Sequence, residues 1–114
     1  MKDETVYLKH IRDALAKIES YTAEGRERFF ADSMVQDAVI RNLEIIGEAA
    51  RNLSPNFIKR QNPEIPWRSI IALRNVLIHE YFRVDLELVW RIVRRRLPTL
   101  KRHIETSLTK SGKQ

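Results

Sequence analysis

The chain has no cysteine among its 114 residues, which excludes disulfides and thiolate-held metal. Three glycines and four prolines supply too few turns for a sandwich or barrel of many short strands. No apolar run approaches the roughly 20 residues of a membrane-spanning helix. The charged opening MKDETVYLKH lacks the pattern of a signal peptide, so a cytoplasmic, membrane-free location is the expectation. Three histidines, His10, His79 and His103, are too dispersed to form a metal site, and neither metal nor cofactor is expected.

What is present suits one folded domain. A content of 43% hydrophobic and 32% charged residues argues against disorder, and a second domain would be too small to hold its own core. The net charge is +6, and it is unevenly placed. Residues 91–114 hold eight basic side chains against the single acid Glu105, a net +7, which leaves residues 1–90 near −1. The protein reads as a nearly neutral body with a basic C-terminal element. A run such as Arg94-Arg95-Arg96 with Lys101 and Arg102 is ordinarily a solvated helix face, or alternatively a track for phosphates. It lacks the interleaved aromatics of a base-stacking platform.

The apolar periodicity is helical almost throughout. From Asp3, a candidate N-cap, Tyr7, Ile11, Ala14, Ile18 and Tyr21 recur every three or four residues until Gly25. After a short apolar step at Phe29 and Phe30, a second helix is expected from Asp32 or Ser33. One of its stripes is Val35, Val39, Leu43, Ile46, Ala50 and Leu53; another is Met34, Ala38, Ile45 and Ala49. That breadth places it at the centre. Residues 54–66 carry three of the prolines and read as a connection, with a helical turn at 56–61. Pro66 opens the next helix, which carries Trp67, Ile70, Ile71, Leu73 and Leu77 and ends around 79–82. The last helix runs from Leu86 to Leu108 and is bent by Pro98. The fold class is therefore all-α, a bundle of four to five helices, with residues 1–108 as its body and 109–114 as a flexible basic tail.

The segment from Leu73 to Phe82, LRNVLIHEYF, sets several distinct polar groups in an apolar stretch. Arg74 supplies a fixed cation with a planar fork for phosphate. His79 has a side chain that exchanges protons near neutrality. Together they suit metal-free phosphodiester cleavage, in which one group stabilises developing negative charge and the other moves a proton. RNA provides its own 2′-hydroxyl as nucleophile. On one unbroken helix, however, Arg74 and His79 point about 140° apart, whereas Asn75 and His79 share a face. Either the helix frays near His79 and swings it back, or a second copy of the chain completes the site. Spacing alone leaves open the plainer alternative, an arginine and a histidine serving a helix C-terminus as dipole partners and caps. For Tyr81 the plainer alternative is an aromatic packed at a helix end with its hydroxyl bonded. Glu44 and Glu48 read as a salt bridge, cap or solvated edge before a carboxylate pair in a cleft, Glu80 as a residue facing water, and His10 and His103 as solvated or surface-paired.

From Trp67 to Leu100 the chain resembles the HepT-like toxins of the HEPN superfamily, the ribonuclease partners in HepT/MntA type VII toxin–antitoxin systems. LRNVLIHEYFRVDLELVW is similar to the part of that family bearing its R-x4-6-H ribonuclease motif, here Arg74-x4-His79, extended to Tyr81 in the form R-x4-H-x-Y. The segment LEIIGEAARNLS at 43–54 and the phrase Leu97-Pro98-Thr99-Leu100 resemble it too.

The resemblance implies a homodimeric HEPN bundle in which the motifs of two protomers line one cleft. It implies that Arg74 and His79 are the catalytic pair of a metal-independent ribonuclease directed at tRNA, with Asn75 supporting the site. It further implies that Tyr81 is the hydroxyl to which a cognate MntA-type nucleotidyltransferase antitoxin transfers AMP from ATP. The alternative outside enzymology is a non-catalytic helical module that partners a nucleotidyltransferase and uses the motif only to bind phosphate.

Overall fold

A computed structural model describes residues 3–61 and 64–112. Its described residues form α1 (Thr5–Tyr21), α2 (Arg26–Ala31), α3 (Ser33–Arg51), α4 (Pro55–Gln61), α5 (Trp67–His79), a 3-10 turn at Tyr81–Arg83, α6 (Leu86–Arg95) and α7 (Leu97–Gly112). No strand occurs among them, and the all-α reading stands.

The punctuation sits where short-range chemistry demands it. The Asp3 carboxylate accepts the Thr5 N–H at 3.0 Å and its hydroxyl at 2.6 Å, tying down the start of α1. Asp32 caps α3 by accepting from the N–H groups of Met34 and Val35. Burial opposes the Asp32 charge, but these two bonds and the nearby Arg28 guanidinium outweigh it and hold the carboxyl below its ordinary range. Asp85 caps α6 in the same manner. Pro98 has no N–H to offer the Arg94 carbonyl, and the helix breaks at Arg96 into α6 and α7 while bonds persist on either side of the gap, from the Arg96 N–H to Ile92 and from the Leu100 N–H to Arg96.

Gly25 links α1 to α2 at φ +95° and ψ −174°, a backbone region open essentially to glycine alone. An added Cβ there meets nothing within 4 Å, so the cost of a side chain is conformational only. Gly25→Ala is expected to lower unfolding free energy by about 1–3 kcal/mol. Thermal denaturation should show it as a fall of several degrees with no change in the far-ultraviolet circular dichroism of the folded state.

α3 is central as expected, packing on α1 along one side and α5 along another, while α7 covers α1 and α6 packs on α2 and α7. The core is built from Leu8, Ile11, Leu15 and Ile18 of α1, Phe29 of α2, Val39, Leu43 and Ile46 of α3, and Val89 and Ile104 of the last two helices. Two expected stripe members are left exposed. Tyr21 and Met34, at the ends of their helices, are 37% and 80% exposed, because each stripe runs past the element that covers it.

The remaining differences are of division. The step at Phe29 and Phe30 is a short helix of its own, α2, which buries Phe29. The turn expected at 56–61 is α4, one residue longer, and the last helix is two. Helix α7 continues to Gly112, so the segment read as a tail from Thr109 is helical that far; Lys113 and Gln114, like Asn62 and Pro63, lie outside the described residues.

Candidate active site

The position of Arg74 is set by a glycine on the facing helix. An added Cβ on Gly47 of α3 would stand 2.1 Å from the Arg74 Cβ, 2.8 Å from its Cγ and 3.2 Å from the Ile70 carbonyl oxygen. With no side chain at 47, α5 lies directly against α3, and the stem of Arg74 crosses over that gap. The Arg74 side chain is only 17% exposed. Its Nη2 meets the Glu48 Oε1 at 3.0 Å, and its Nη1 donates to the Asn75 Oδ1 at 2.9 Å. Nε is buried with no hydrogen-bond partner among the described residues. The guanidinium is thus fixed by one hydrogen bond to Asn75 and one ion pair with Glu48. The same Glu48 oxygen accepts from Arg51 at 3.3 Å, so this carboxylate stands between two guanidinium groups.

His79 is the last residue of α5 and is exposed. The helix does not fray before it: the Glu80 N–H still donates to the Val76 carbonyl at 2.9 Å. The angular offset between Arg74 and His79 therefore survives folding, and one chain does not bring the two side chains to a common face. The backbone stays helical through His79, so no local fray swings it back towards Arg74. Asn75 bridges the two faces, since it binds Arg74 and lies one turn before His79.

Tyr81 is 75% exposed in the turn that follows α5. This does not fit the plainer alternative of an aromatic packed at a helix end. Its ring meets Phe82 edge-on at 5.7 Å, and Phe82 is itself 68% exposed, with Val76 nearby in sequence at 47%. Arg83 lies 5.5 Å from the Phe82 ring centre and pairs with Glu80 at 3.4 Å, so Glu80 has a partner rather than water alone. Three exposed apolar side chains, Val76, Tyr81 and Phe82, thus flank His79 in the sequence.

The two glutamates of α3 part company. Glu48 reaches Arg74, whereas Glu44 pairs with Arg41 of its own helix at 3.5 Å. The Glu48 contact was not legible in the spacing of α3. Gly47 is a sequence signal for a close helix approach, because a glycine inside a helix costs about 1 kcal/mol against alanine, but it does not name the partner of Glu48. His10 is exposed and meets the Tyr7 ring edge-on at 6.0 Å; His103 is half-buried. No cluster of three or more histidine, aspartate or glutamate side chains fit to hold a metal occurs among the described residues. No helix there is long and apolar enough to cross a membrane. Along α6 and its end, Arg91, Arg94, Arg95 and Arg96 are exposed and form no ion pair among the described residues, while Lys101 pairs with Glu19 at 2.9 Å.

A profile describing HepT-like ribonucleases matches residues 11–107. The "Probable ribonuclease HepT" of Thermococcus cleftensis is 48% identical over 100 residues, covering 87% of this chain and 90% of that protein. A "Putative RNase" of Caldanaerobacter subterraneus subsp. tengcongensis is 35% identical over 111 residues, 96% of this chain and 98% of that one. The "Gamma-glutamylcyclotransferase and putative RNase" of Methanocaldococcus jannaschii is 45% identical over 104 residues, 90% of this chain, which spans only 46% of that longer protein. No solved structure matches the chain. The chain therefore belongs to the HepT-like ribonuclease family.

Proposed function

We propose that the protein is a metal-independent ribonuclease toxin, acting on tRNA as a homodimer and silenced by AMP transfer to Tyr81 from a cognate MntA-type nucleotidyltransferase. The observation that carries the reading is the state of Arg74. It is held on two sides, by an ion pair with Glu48 and a hydrogen bond to Asn75, which fixes its guanidinium fork in place before any phosphate arrives.

The chemistry needs little else. The RNA 2′-oxygen attacks phosphorus, the bond from phosphorus to the 5′-oxygen breaks, and a cyclic phosphate and a 5′-hydroxyl result. Arg74 stabilises the charge that gathers on the phosphoryl oxygens. His79 exchanges the proton between solvent and the reacting oxygens. Since the two leave α5 on different faces, the working pair consists of Arg74 of one protomer and His79 of the other, and the apolar surface of Val76, Tyr81 and Phe82 around His79 supplies a face to close the dimer. The unpaired arginines of α6 add general attraction for RNA, which weakens with salt.

AMP transfer to Tyr81 forms a bond from phosphorus to the phenolic oxygen and releases pyrophosphate from ATP. The exposure of Tyr81 supports this role. The product places an anionic phosphate and a nucleoside beside the site, where the phosphate competes with RNA for Arg74 and the bulk obstructs the cleft.

With partner enzyme and ATP, the intact protein should gain one or more AMP units by mass spectrometry and lose cleavage of tRNA measured in EDTA. Tyr81→Phe should gain none and remain active. Increments that persist in Tyr81→Phe place the modification elsewhere, and wild-type protein inert toward RNA removes the nuclease reading.

A further inference from the structure

A second feature adjoins Arg74 from the other side of Glu48. Between α1 and α3 lies a cavity of about 140 Å³ walled by Tyr7, His10, Arg41, Ile45, Glu48, Ala49 and Asn52. We propose that this cavity is a nucleobase subsite of the nuclease, seating the base next to the phosphate that Arg74 binds and favouring bases with an exocyclic amine over uracil. The inference rests on the ribonuclease reading and adds to it a determinant of where RNA is cut.

Size limits the occupant first. Pockets for drug-sized ligands run to roughly 300 Å³ and above, so this one accepts a single planar heterocycle. The lining then defines its chemistry. Ile45 and Ala49 give an apolar floor. The rings of Tyr7 and His10 stand perpendicular, at 86° with centres 6.0 Å apart, so that a flat group lying on one meets the edge of the other. Single-stranded RNA is read by this combination of ring stacking and hydrogen bonds to base edges.

The polar walls are rich in acceptors. The Asn52 amide nitrogen is committed to the Glu48 carbonyl at 2.9 Å, which leaves its Oδ1 to accept. The Glu48 carboxylate accepts as well, and its Oε1 already bonds Arg74 at 3.0 Å. Adenine, cytosine and guanine each offer an exocyclic amine to such a wall; uracil has carbonyl oxygens in place of that amine and only its ring N3–H to donate. Arg41, with its side chain 70% exposed, stands at the rim and suits a neighbouring phosphate. One carboxylate both walls the cavity and pairs with Arg74, which places base and phosphate sites side by side.

The test uses the full chain and four single-stranded oligoribonucleotides identical except for the base beside one cleavable phosphate. Wild type should cleave the adenine, cytosine or guanine substrate with kcat/KM about tenfold above uracil, the scale of one stacked and bonded base. The double variant Tyr7→Leu, His10→Ala should bring the four within about twofold, chiefly by raising KM, with Tm close to wild type. Equal cleavage of all four by wild type, or a preference unchanged in the variant, overturns the subsite. Should wild type cleave nothing in EDTA, the nuclease reading fails by itself. The subsite is then judged by amide shifts on titration with cytidine and adenosine monophosphates: shifts centred on Tyr7, His10 and Asn52 support it, and shifts elsewhere or none reject it.

Discussion

Arg74→Ala and His79→Ala should each reduce RNA cleavage at least about a hundredfold, and a mixture of the two inactive variants should recover activity. The reason is the continuity of α5. Helical geometry through His79 keeps its imidazole about 140° away from Arg74 around the axis, while Gly47 and Glu48 fix the arginine against α3. If each working pair takes its arginine from one chain and its histidine from the other, a mixed dimer holds one site with both defects and one with none. Co-expression at equal levels makes half of the dimers mixed, so about one quarter of wild-type activity returns. Differently tagged copies, purified through both tags, should reach about half. Failure of the doubly tagged dimer to cleave sinks the shared-site reading, even if each single variant is inactive. The loss in the single variants should appear in kcat, since RNA affinity draws on the exposed arginines of α6 as well.

How much of this was legible before folding follows from the range of each signal. The long helices announced themselves because their apolar residues repeat over several turns, and their ends because Gly25, Asp32 and Pro98 act on the backbone within a few residues. α2 escaped because six residues do not show a helical period. Tyr21 and Met34 misled for a different reason: periodicity reports which face a residue occupies, not whether another helix extends far enough to cover it. The motif residues Arg74, Asn75, His79 and Tyr81 are neighbours in sequence and were visible as a group. The Glu48 to Arg74 contact joins two helices 26 positions apart at a crossing that no periodicity encodes, so it could be seen only once α3 and α5 were placed. Likewise the exposure of Tyr81 depends on α5 ending at His79 and on the chain turning outward at once.

Gly47→Ala should harm the protein more than Gly25→Ala and in a different way. Considered as a helix residue, alanine at 47 is an improvement of up to about 1 kcal/mol, since glycine inside a helix loses more backbone freedom on folding. Packing acts in the opposite direction and is larger. The new methyl group would sit 2.1 Å from the Arg74 Cβ, an atom fixed to the α5 backbone that cannot rotate aside, and the Ile70 carbonyl at 3.2 Å closes the other side. The two helices must therefore separate, at a cost in the upper part of the roughly 1–3 kcal/mol range for overpacked cores or above it. Separation also carries Arg74 away from Glu48, which grips its guanidinium from α3. Thermal melting should show a large drop in Tm, and cleavage measured well below the new Tm should still be at least about tenfold slower than wild type, because a displacement near 1 Å at a catalytic group is enough to cost that much. Gly25→Ala provides the matched comparison, losing stability while keeping full activity below its own Tm. If Gly47→Ala also keeps full activity, the crossing at Gly47 stabilises the bundle without setting the position of Arg74.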